Sequence, residues 1–115
     1  MLLSNSQHEE YPIRVINPPS FTGKTVWQAL DIEQIGTASI RLHWTNQPYK
    51  WHINDGPEVF VVLDDAVDMH ARQNGVEQVQ PLALGVIFHA EQGDEHVAHP
   101  CGVARVLVIE HAGSV

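Results

Sequence analysis

From about residue 26 onward, turn-forming residues interrupt this chain too often for a long helix to fit. Gly36, Asn46 with Pro48, Asp55-Gly56-Pro57, Asp64-Asp65, Asn74-Gly75, Gly85, Gly93 and Gly102 recur at intervals of about 8–10 residues. The runs between them are short and rich in β-branched and aromatic residues, which suit a pleated, half-buried surface. Strands are expected near 26–32, 38–44, 49–54, 58–63, 66–72, 76–82, 86–90, 95–100 and 104–110. Asn74-Gly75 between two such runs is the strongest hairpin signal in the chain. Period-2 alternation supports the reading. Ile40, Leu42 and Trp44 share one face, with Ser39, Arg41 and His43 on the other, which leaves His43 in solvent. Val67 and Met69 alternate with Asp68 and His70 in the same way. Helix is confined to a possible turn around 24–30. Many short strands at this spacing imply an all-β sandwich or barrel.

At 115 residues there is room for one domain. Pro12, Pro18 and Pro19 deny the start of the chain a regular helix, although Ile13, Val15 and Ile16 could pair as a strand. Residues 1–25 therefore read as an arm and 26–115 as a single barrel. The formal charge of −8, with six scattered Lys and Arg, argues against nucleic acid, whose phosphates need clustered basic residues. No stretch approaches the ~20 apolar residues of a membrane span, and the N-terminus lacks the basic and apolar regions of a signal peptide. Cys101 has no internal disulfide partner. A cytoplasmic protein is expected.

Eight histidines are many for this length, and their spacing matters more than their number. Trp51 to Phe60 contains H-x-N-x3-E. On one strand His52 and Asn54 point the same way, and the turn at Asp55-Gly56-Pro57 lets Glu58 open the partner strand facing them. An imidazole, an amide and a carboxylate can thus meet at one point. Trp51 should face away from His52. A second cluster, Glu91-Gln92-Gly93-Asp94-Glu95-His96, sets another histidine just after a glycine turn. His99, three residues on, falls on the opposite strand face from His96 and belongs outside.

These residues resemble the two motifs of the cupin superfamily, G-x5-H-x-H-x3/4-E-x6-G and G-x5-P-x-G-x2-H-x3-N. His52, Asn54 and Glu58 occupy ligand positions of the first, and Gly85, Gly93 and His96 match the second. Asn54 stands for a histidine, Asn46 and Asp65 for the flanking glycines, Glu91 for the proline and Pro100 for the asparagine. The resemblance covers roughly residues 38–110. It implies a double-stranded β-helical (jelly-roll-like) barrel, a divalent Fe, Mn, Ni or Zn ion on His52, Asn54, Glu58 and His96, and a homodimer. His89, Glu91 and Phe60 are expected in the pocket wall, with His89 or Glu91 available for proton transfer. Two functions stay open: a metal-dependent dioxygenase, isomerase or epimerase acting on a small polar molecule, or a non-catalytic ligand-binding or sensor protein.

Overall fold

The computed structural model describes residues 13–114; the first twelve residues of the expected arm, and Val115, lie outside that span. The described residues form nine strands: β1 (Gln28–Ile35), β2 (Ala38–Thr45), β3 (His52–Ile53), β4 (Glu58–Asp64), β5 (Val67–Gln73), β6 (Val76–Leu82), β7 (Ile87–Ala90), β8 (Glu95–Pro100) and β9 (Ala104–His111). They form two antiparallel sheets, ordered β1-β2-β9-β4-β7 and β3-β8-β5-β6. The all-β expectation is met. Among the described residues no helix is long and apolar enough to cross a membrane.

Alternation along the strands builds the interior. Phe60 and Val62 from β4, Val106 and Val108 from β9, and Val67 and Met69 from β5 are all at most 5% exposed and pack into one cluster. The same inward rows turn polar at one end. On β4 the row runs Val62, Phe60, Glu58; on β9 it runs Val106, Val108, Glu110, with Glu58 and Glu110 paired across the ladder. On β8, His96 follows Ala98, and β3 sets His52 directly opposite His96. The interior therefore has an apolar floor and a polar mouth.

Several elements depart from the sequence reading. β3 is two residues rather than six. Its neighbours stay tied to β8 and the preceding turn by Tyr49 N–H to Ala98 O, Asn54 N–H to Asp94 O and Gly93 N–H to Asn54 O, but without regular ladder geometry. Prolines at 48 and 57 bracket the segment and limit its donors. β1 starts at Gln28, because Trp27 has φ of +59° and breaks the strand. No helical turn forms over 24–30; a Gln28 N–H to Thr25 O bond closes a tight turn instead. Ile13, Val15 and Ile16 belong to no strand, and Ile13 and Val15 are 96% and 82% exposed.

The largest correction concerns β2. Its two faces alternate as expected, but the polar one points inward: Arg41 pairs with Val108 and His43 with Val106, both core residues. Leu42, on the opposite face, is still 1% exposed. The segment before β1 helps cover that face. A Cβ added at Gly23 would lie 2.8 Å from the Trp44 ring, so only glycine permits this close approach. His43 is not solvated.

Candidate metal centre

Three strands from both sheets bring His52, Glu58 and His96 together at the mouth. One ligand atom from each lies within 4.8 Å of the others, and no further group of this kind occurs among the described residues. Glu58 and His96 are buried; His52 is half-buried. His96 Nε2 is 3.1 Å from Glu58 Oε1, and the two imidazole rings stand edge-on with centroids 4.4 Å apart.

The surroundings fix each donor. His52 Nδ1 is 3.3 Å from the Lys50 carbonyl, which can only accept, so Nδ1 carries the proton and Nε2 keeps its lone pair. That is the tautomer a histidine ligand needs. Burial first, and then the nearby His96, hold the His52 imidazole below its ordinary pKa. Burial alone would raise Glu58. Its hydrogen bond to His96, the favourable electrostatics of that neighbour and the amide of Asn54 outweigh this, so the carboxyl ends below its usual value and stays ionised. Two neutral imidazoles and a carboxylate suit Mn²⁺, Fe²⁺, Ni²⁺ or Zn²⁺.

Asn54 is 6% exposed and joins the group. Its amide nitrogen donates to Gly56 O at 3.2 Å and to Glu58 Oε1 at 3.1 Å, which orients the carboxylate. Its oxygen Oδ1 and the His96 Nδ1 are buried without a hydrogen-bond partner among the described residues. A centre whose polar atoms are so incompletely paired has unused capacity for an ion or ligand.

Phe60 lines the cavity in front of these residues, which encloses about 300 Å³. His89 and Glu91 do not. β7 turns His89 to the outer face opposite Val59, where it pairs with the exposed Glu91 at 3.1 Å. The β7 residues that face inward are the half-buried Phe88 and the buried Ala90, paired with Phe60 and Glu58. His70 and His99 stack on the outside of the second sheet with ring centroids 4.1 Å apart. Trp51 also points away from the centre, with the Arg72 guanidinium 3.7 Å over its ring. Among the cavity residues that sequence reasoning missed are Trp27, Arg41, His43 and Glu110. The alternation at 39–44 held the signal for two of them, had its polar face been taken as the inner one.

No protein-family model and no curated protein matches the sequence. Solved structures do match the fold. A cupin-2 domain protein from Shewanella frigidimarina has a TM-score of 0.69 at 21% identity, over 77% of this chain and 84% of that one. A cupin superfamily protein from Desulfitobacterium hafniense has a TM-score of 0.68 at 15% identity, over 85% and 90%. Hydroxypropylphosphonic acid epoxidase from S. wedmorenis has a TM-score of 0.57 at 15% identity, over 64% of this chain and 43% of that longer one. Two facing antiparallel sheets, a polar mouth and these neighbours give one conclusion: the chain folds as a small cupin-type domain.

Proposed function

We propose that this cupin holds one divalent transition ion through His52, Glu58 and His96 and uses it to act on a small polar molecule in the cavity. The convergence of three buried or half-buried donor atoms within 4.8 Å, one imidazole already held as a ligand tautomer, carries this reading. HppE, a fold neighbour solved with Fe²⁺ and with Co²⁺ and substrate, lends it support. Asn54 steadies Glu58 through its amide nitrogen and offers Oδ1 as a weaker donor. Such an ion would supply Lewis acidity for isomerase or epimerase chemistry, or, as iron, oxygen activation for dioxygenase chemistry. The chain's own part is to hold Glu58 ionised and His52 Nε2 unprotonated, to line the site with Phe60 and the aromatic wall, and to orient the bound molecule, while His96 would exchange its proton toward Glu58 for the ion. The reading includes a homodimer, in which the exposed Ile13 and Val15 of the arm meet a second copy.

A metal-free ligand-binding cupin is the second reading, favoured by the direct Glu58–His96 contact, which pairs two of the three donors with each other. Calorimetric titration with Mn²⁺, Fe²⁺, Ni²⁺ and Zn²⁺ decides between them. Wild type should bind at least one of these ions, and His96→Ala should abolish it, since two remaining protein ligands hold such ions poorly. Affinity should weaken as pH falls through about 6, where protons compete for the imidazoles. The lowered His52 pKa moves that competition to more acid pH. Uptake by His96→Ala equal to wild type would leave the metal-free reading standing.

A further inference from the structure

β2 contributes a second set of polar groups to the same cavity. Arg41 and His43 alternate on its inward face, about 7 Å apart along the strand. Neither takes part in the three-residue centre.

Arg41 sits at the rim of the cavity, its side chain 40% exposed and paired with the well-exposed Asp31. Its Nε donates to Asp31 Oδ1 at 2.8 Å across the β1–β2 ladder, while its two terminal nitrogens make no hydrogen bond among the described residues. A guanidinium fixed at Nε and free at Nη1 and Nη2 presents donors suited to a carboxylate. Among the described residues lining the cavity it is the only Lys or Arg.

His43 is fixed as well. Its Nδ1 lies 3.2 Å from the Trp27 carbonyl, an obligate acceptor, so the proton sits on Nδ1. Nε2 is left as an acceptor with no partner among the described residues. Trp27 is strained to φ of +59°, an unusual conformation for a bulky residue. That conformation coincides with its carbonyl meeting His43, its indole Nε1 bonding Gln47 O at 2.9 Å, and its ring standing in the cavity wall. Glu58 on β4 supplies negative charge to the cavity, and Glu110 on β9 adds to it once pH rises through about 7, so a bound anion is best accommodated beside Arg41.

We infer that the cavity takes a small carboxylic acid bearing a hydroxyl group, its carboxylate seated on Arg41 Nη1 and Nη2 and its hydroxyl donating to His43 Nε2. This deepens the proposed function and rests on it, because the bound acid then lies in front of the metal centre. The aromatic wall of Trp27, Tyr49 and Phe60 limits its bulk.

The test is NMR titration of the Zn²⁺-loaded full chain with lactate, with propionate, which lacks the hydroxyl, and with lactamide, which lacks the charge. Zn²⁺ uptake is measured first. Lactate should bind at least tenfold more tightly than either analogue. Arg41→Gln should erase the lactate-to-lactamide ratio, Arg41→Lys should restore part of it, and His43→Phe should erase the lactate-to-propionate ratio. All three variants should take up Zn²⁺ as wild type does, which shows them folded. Lactamide bound as tightly as lactate by wild type, or an acid-to-amide ratio unchanged in Arg41→Gln, would overturn the inference. Failure of Zn²⁺ uptake in wild type would instead overturn the centre, and the same ratio on the metal-free chain then reads the Arg41 seat alone.

Discussion

Glu110 shows what a polar mouth costs. Burial first, then repulsion from Glu58 and Asp55, push its carboxyl up to about 7, from an ordinary value of 4.5. Between those two pH values the folded chain keeps a proton that the unfolded chain has lost. This group's contribution to stability is therefore full below about pH 4.5 and is lost as pH rises through 7. Glu110→Gln should remove the penalty. In chelator-treated protein, denaturant titration should find the variant more stable than wild type by about 1–2 kcal/mol at pH 8, after discounting for a half-exposed carboxyl, and nearly equal at pH 5. At this scale the sequence was half legible. His52, Asn54 and Glu58 could be grouped from spacing because a tight turn fixes their positions, and His96 joined them through the resemblance to the second cupin motif. Arg41, His43 and Glu110 could not, because alternation separates two faces without saying which one is inside.

Turns were the most readable elements. Asn74 and Gly75 have φ of +52° and +77°, the two positive values that a type I′ hairpin demands. A Cβ at Gly75 would meet nothing within 4 Å, so only the backbone opposes a side chain there. Gly75→Val should cost roughly 1 kcal/mol or more, read as a lower melting temperature without loss of ion uptake. Strand positions were recovered for the same reason: each lies between residues that end strands. What failed was regularity and facing. The run 49–54 has the composition of a strand, yet its ladder holds only at His52 and Ile53. The apolar face of β2 has the composition of an inner face, yet that strand turns its polar side to the core residues Val106 and Val108. Composition reports that a face is covered, and not by what.

Across the whole molecule, the three donors are divided between the sheets: His52 and His96 belong to one, Glu58 to the other. An ion bound there would tie the sheets together at the end where hydrophobic packing is absent. Anything that binds only the folded chain stabilises it by mass action, about 2.7 kcal/mol at a hundredfold excess over Kd. Melting temperature should therefore climb with added Mn²⁺ or Zn²⁺ and fall back with chelator. In His96→Ala it should ignore both. β3 has the most to gain, since two ladder pairs are all that regular pairing gives it. Amide exchange near His52 should then slow on loading more than exchange in β4 or β9. The atoms proposed to hold the ion would also act as a rivet, and scarcity of the ion would thin the protein's numbers through unfolding and proteolysis.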